Sequence, residues 1–111
     1  MAETFKRAGG AISTSGTVVY TAPANAGDGA VVLSISCANI NTSSVVDVTV
    51  EVLDNGGSVV STLIKSAGIA VNTGLEVVQN KVILEAGEAI KLTASSNNDL
   101  SATIGILEIT A

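Results

Sequence analysis

The sequence predicts an all-β domain folded as a two-sheet antiparallel β-sandwich of jelly-roll or Greek-key type, with eight or nine short strands. Three observations predict it. Apolar and polar residues alternate at period two over most of the chain, turn residues separate the alternating segments, and helical periodicity is scarce. The apolar set agrees: 47% of residues are hydrophobic but only 2% aromatic, so Val, Ile, Leu and Ala must make the core. β-Branched side chains are stiff at χ1 and pack well on a pleated surface. With 111 residues and no evident linker, the chain reads as one domain over 1–111.

Residues 1–16 read as an extended N-terminal arm, Glu3 to Ala8, followed by a hinge of Gly9-Gly10 and Ser13-Thr14-Ser15-Gly16. A strand follows at Thr17–Thr21 and stops at Pro23, which cannot donate to a ladder. The next spans Ala30 to Ile40, with Val31, Leu33, Ile35 and Cys37 expected on the core face and Ser34 and Ser36 opposite. From Val45 to Leu53 the even valines Val46, Val48, Val50 and Val52 face the core, against Asp47, Thr49 and Glu51 outward. Asp54-Asn55-Gly56-Gly57 reads as a primed hairpin turn into Ser58–Lys65.

A looser stretch, Ser66 to Gly74, precedes a short strand at Leu75–Val78; Asn80 breaks the run, and Lys81 to Leu84 begins another. Glu85-Ala86-Gly87-Glu88 turns into Ala89–Ala94, whose Ile90, Leu92 and Ala94 point inward. The last strand is Leu100 to Thr110. Its inward set, Leu100, Ala102, Ile104 and Ile106, gives way to Leu107 and Ile109, so a bulge is expected beside Gly105.

Composition excludes several functions. The net charge is −5, from ten acids against Lys6, Arg7, Lys65, Lys81 and Lys91, with no basic cluster to release counterions from a phosphate backbone, so no nucleic-acid partner is expected. No run of 18 apolar residues suggests a membrane span, and the charged opening Met-Ala-Glu-Thr-Phe-Lys-Arg does not resemble a signal peptide. A soluble product made in the cytoplasm is expected. Cys37 is the single cysteine and reads as a small buried hydrophobe.

Catalytic equipment is thin. Without histidine, the commonest general base and the commonest transition-metal ligand are missing. Glu85 and Glu88 are the nearest carboxylate pair, yet both flank a glycine turn, where exposed acids are ordinary, and a sugar cleft would usually add aromatic platforms. Asp54-Asn55 and Asn97-Asn98-Asp99 match no Ca²⁺ loop, and Gly9-Gly10 and Gly56-Gly57 lack the context of a phosphate loop. Asn41-Thr42-Ser43 is formally a glycosylation sequon. No enzyme, cofactor or metal is expected.

Binding signals are two. Thr4, Phe5, Lys6 and Arg7 set an aromatic beside two cations ahead of a glycine hinge, and such an arm can add to a neighbour's sheet edge or form the first strand of its own sheet, with Phe5 in the core. Charged residues make up only 14% of the chain, against about 25% in ordinary soluble domains, and sparsely charged strand edges invite pairing.

Thr17-Val-Val-Tyr-Thr-Ala-Pro-Ala24, Ala30-Val-Val-Leu-Ser-Ile-Ser-Cys-Ala-Asn-Ile40, Lys81-Val-Ile-Leu-Glu-Ala-Gly-Glu-Ala-Ile-Lys-Leu-Thr-Ala-Ser95 and Leu107-Glu-Ile109 resemble small virion structural proteins of tailed bacteriophages, especially marine and cyanobacterial phages. The likeness runs from about Thr17 to the end. It implies a capsid decoration or cement protein on the outer surface of the head, bound where major capsid subunits meet, as a homo-oligomer such as a trimer. It equally suits a tail, baseplate or fibre-attachment subunit. Either implies location in the virion and another virion protein as partner. A carbohydrate-binding adhesion module is the alternative of another class. The shared segments are scaffold features and transfer no catalytic residue.

Overall fold

The computed structural model describes residues 2–78 and 81–111, so the expected break at Asn80 lies outside the described residues. Among them run nine strands: β1 (Ala2–Ala11), β2 (Thr17–Thr21), β3 (Gly29–Asn39), β4 (Val46–Leu53), β5 (Val59–Ile69), β6 (Gly74–Glu76), β7 (Val82–Glu85), β8 (Ala89–Ala94) and β9 (Leu100–Thr110). They form two antiparallel sheets. The first has the order β1-β9-β3-β6, with β7 also paired to β3, and the second has the order β2-β8-β4-β5. β6 and β7 pair with successive parts of β3, Ser36 to Ala38 and Gly29 to Val32, so together they occupy one edge position. With those two counted as one, the strand order is that of a jelly roll. Consecutive strands mostly lie in opposite sheets, which is why the ladders join residues far apart in sequence.

The core lies between the sheets. Val32, Ile35, Leu84, Leu100, Ile104 and Ile106 of the first sheet pack against Val46, Val48, Val50, Ile90 and Leu92 of the second, and all are essentially inaccessible to solvent. The alternation of β4 falls as its sequence predicts, with the even valines inward and Asp47, Thr49 and Glu51 half-exposed. The Tyr20 ring also reaches the core.

Asn39 is the one buried polar side chain among the described residues. Its Nδ2 donates to the carbonyls of Ser44 (3.0 Å) and Ile69 (2.8 Å), and its Oδ1 accepts the Asn41 amide at 2.8 Å. It thereby joins the end of β3 to the following loop and to the end of β5. Asn41 Oδ1 in turn accepts the Ser43 and Ser44 amides, so the apparent glycosylation sequon is a tight polar turn.

Several local expectations need correction. The inward residues of β3 are Ala30 and Val32, then Ile35 and Cys37, while Leu33 is exposed and Val31 half-buried. The phase switches because β3 carries a bulge: the ladder to β9 skips from Val32 opposite Ile106 to Ser34 opposite Gly105. The expected bulge therefore lies on the neighbouring strand. β9 keeps one phase throughout, and Leu107 and Ile109 face outward. A Cβ at position 105 would stand 3.0 Å from Ser34 Oγ, so the glycine accommodates the bulge opposite it.

The Asp54–Gly57 turn is not a primed one, since Gly57 (φ 89°) is its only residue with positive φ. Gly57 N–H donates to the Asp54 carbonyl and the Asp54 carboxylate accepts the Gly56 and Ser58 amides, a type I turn closed by a left-handed glycine. β5 also runs four residues past its expected end at Lys65, to Ile69, through a left-handed Ser66 (φ 51°) whose amide donates to Thr49 Oγ1. That hydrogen bond holds the irregular residue against β4.

Candidate interaction surface

The segment Ala2–Ala11 pairs along its whole length with β9, from Ala2 opposite Thr110 to Ala11 opposite Ser101. It is the outermost strand of the first sheet, and only Ala8 is even partly covered. Phe5 does not enter the core: it is 78% exposed. Successive strand residues point to opposite faces, so the four residues singled out in the sequence divide. Phe5 and Arg7 lie on the outer face of the sandwich, with Glu3. Thr4 and Lys6 lie on the inner face, opposite Glu108 and Ile106.

On the inner side, Lys6 Nζ stands 3.0 Å from Glu108 Oε1, and the Tyr20 hydroxyl donates to Glu108 Oε2 at 2.6 Å. The tyrosine hydrogen bond, helped by Lys6, holds the Glu108 carboxyl below its usual range. Burial, reinforced by the facing carboxylate, pushes the Tyr20 phenol above its usual value. This cluster binds β1 and β9 to β2 of the other sheet. It is a structural fastening that ties Lys6 to the inner side of the sheet.

The outer face is of another character. Direct cross-strand partners share a face, and the ladders set Phe5 opposite Leu107, Leu107 opposite Val31, and Val31 opposite Ile83. Four apolar side chains from four strands thus form one row of roughly 15 Å across the sheet, by the ordinary spacing of strands. Its ends are open: Phe5 is 78% and Ile83 73% exposed. Farther along the same face the row Thr103, Ser36 and Glu76 is polar. The apolar surface is thereby confined to one half of the face.

Sequence reasoning missed three members of this row. Leu107, Val31 and Ile83 follow the same apolar alternation as core residues, and β9 and β3 were expected to turn Leu107 and Val31 inward. The available signal was the unbroken apolar run Ala30-Val31-Val32-Leu33, which covers both faces of a strand.

Val31 and Ile83 of the row, with Ile109, also line an open groove of about 740 Å³ that Asp28, Asp54 and Glu85 help to line. Three of its acids hold backbone. Asp28 Oδ1 accepts the Ala111 amide, Asp54 Oδ1 closes its own turn, and Glu88 Oε1 accepts the Glu85 amide at 2.8 Å. Glu85 and Glu88 therefore meet as partners within one turn. Asp99 has a similar place: hydrogen bonds from the Ser96 hydroxyl and the Asn41 amide lower its carboxyl, and Asn97 Oδ1 accepts the Thr14 amide.

No family model matches this chain, and no curated protein does. Among solved structures, it is similar to the subunit of Bacillus endospore appendages, described as a family of disulfide-linked pili, at 10% identity and a TM-score of 0.58, over 98% of this chain and 87% of that one. A cyanophage Pam1 capsid chain is 18% identical with a TM-score of 0.43, over 96% and 84% of the two chains. An infectious bursal disease virus (Gx strain) chain is 8% identical with a TM-score of 0.47, over 95% of this chain and 29% of that one. The first likeness is one of fold, and the two viral ones are too weak to bear on function.

Proposed function

We infer that this chain is a non-enzymatic structural protein of a tailed-phage virion, a decoration or cement protein that binds the outside of the head where major capsid subunits meet. The observation that carries the reading is the outer-face row Phe5–Leu107–Val31–Ile83, an apolar surface whose two ends are exposed. Contiguous exposed apolar surface of this kind marks interaction sites. The sequence resemblance to phage virion proteins supplies the kind of partner, and a jelly-roll sandwich is an architecture that shell proteins use. Covering Phe5 and Ile83 would contribute roughly 1.5 to 3 kcal/mol each at a well-packed contact, and binding to the assembled shell alone would stabilise that shell by mass action.

The test is occupancy on purified heads. The chain is expected in hundreds of copies per particle, and replacing Phe5 and Ile83 together by serine should strip it from the shell while leaving it folded. Full occupancy by the double variant would reject the row as the docking surface. A handful of copies per particle would place the chain in the tail, baseplate or fibre instead.

A pilus built as the endospore appendages are, by disulfide links, does not suit the one cysteine here, since Cys37 is only 1% exposed. A carbohydrate-binding role has Phe5 as its available aromatic platform, because Tyr20 lies in the core. A glycan-array signal lost on Phe5→Ala would support that role over the shell.

A further inference from the structure

The free edge of β1 carries information about its own partner. Nine of its ten residues are exposed, and an edge strand presents unpaired N–H and C=O groups that template another strand. Charges usually guard such edges. Here Lys6, on the inner face, is engaged by Glu108, and the outer-face residues read Glu3, Phe5, Arg7 in order. That order is self-complementary. When a second β1 runs antiparallel with Phe5 opposite Phe5, Glu3 of each copy falls opposite Arg7 of the other. Ala2 then meets Ala8, and Thr4 meets Lys6, so no like charges face each other.

We propose that two copies of this chain associate along their β1 edges as a two-fold symmetric dimer, with the axis beside Phe5 and the first sheets of the two copies joined into one. Registers centred on Glu3 or Arg7 are selected against, and those centred on Thr4 or Lys6 set Phe5 opposite Glu3 or Arg7 and form no Glu3–Arg7 pair. An axis at Arg7 sets Arg7 against Arg7, and one at Glu3 sets Glu3 against Glu3, and like charges directly opposite destabilise a ladder. Head-to-tail pairing of β1 with β7 of another copy fares no better: with Phe5 opposite Ile83, Glu3 meets Glu85 and Arg7 meets Lys81. The two-fold arrangement also buries the most exposed ring of the chain against its own copy and joins the two apolar rows end to end. Such a self-complementary contact closes at two subunits. It departs from the trimer that the phage resemblance implies.

The inference does not rest on the virion reading, because association is measured on the isolated full-length chain. Sedimentation equilibrium should give a dimer. Glu3→Arg and Arg7→Glu should each weaken it roughly tenfold or more, since each change introduces two repulsive pairs, while the double exchange E3R/R7E should restore it. Far-UV spectra should be unchanged in all three. A Phe5→Cys chain should oxidise to a covalent dimer through position 5, with Cys37 protected by burial. A monomer at about 1 mM, a trimer, a double exchange no tighter than the single ones, or absence of the position-5 crosslink would overturn the proposal.

Discussion

The Tyr20 hydroxyl donates to Glu108 Oε2 at 2.6 Å and so fastens β2 of one sheet to β9 of the other, with Lys6 of β1 on the second carboxylate oxygen. Three strands meet at one carboxylate. Hydrogen bonds to charged groups contribute more than neutral ones, so Tyr20→Phe should cost about 1–2 kcal/mol. Urea unfolding measures it, and an unchanged midpoint would show that the bond adds nothing.

The same cluster sets a pH window. Glu108 has a lowered carboxyl in the folded chain, so its contribution is complete above the unfolded value near 4.5 and is lost as pH falls through the folded one. Asp99 acts in the same direction. Tyr20 is raised, so its contribution is complete below its ordinary value of 10.0 and declines as pH rises beyond it. Stability should therefore be level between these limits and fall on both sides. In Tyr20→Phe the alkaline decline should shrink, which thermal melts across the pH range will report.

Asn39 is buried and uses both its amide donors and its acceptor. Asn39→Leu should lower stability by about 2–4 kcal/mol, because it leaves the Ile69 carbonyl and neighbouring backbone groups without partners. Asn39→Asp should be at least as damaging at neutral pH, since a carboxylate would face the Ser44 and Ile69 carbonyls. Chemical denaturation ranks the two, and a neutral Asp variant would contradict this account.

Gly87 has a left-handed backbone (φ 77°), and a Cβ there would lie 2.5 Å from the Asn55 side chain. Gly87→Ala should cost about 1–3 kcal/mol from backbone strain and overlap together. Adding Asn55→Gly should recover part of the loss, because it removes the overlap and leaves the strain. A strictly additive pair in denaturation experiments would place the two loops out of contact.

Cys37 is held inside the sandwich, and burial, aided by the nearby Glu76 carboxylate, pushes its thiol up to about 11. Thiolate is the reactive form. Alkylation at pH 8 should be slow in the native chain and should accelerate in proportion to the unfolded fraction in urea. Rapid native labelling would mean that the first sheet opens locally.

The fold class was legible because period-two alternation is a local signal. Thr17–Thr21, Ala89–Ala94 and Leu100–Thr110 are strands with the bounds their residues predict, and the even valines of β4 face the core. The bulge was half legible. Gly105 marks its place, but the extra residue belongs to the paired strand, where Ser34 lies opposite the glycine, and one strand's alternation does not report what its neighbour does.

What the sequence determined by itself was a sandwich of alternating strands with a small aliphatic core, and an unusual N-terminal segment of one aromatic and two cations. The tertiary structure alone decided where that segment's side chains lie: Lys6 is fastened to Glu108, and Phe5 is left at the end of an apolar row with Leu107, Val31 and Ile83. The physical reason is range. Alternation is read from neighbouring residues, whereas a surface row depends on which strands the jelly roll places side by side, and Phe5 and Leu107 meet only because the chain's first strand pairs with its last.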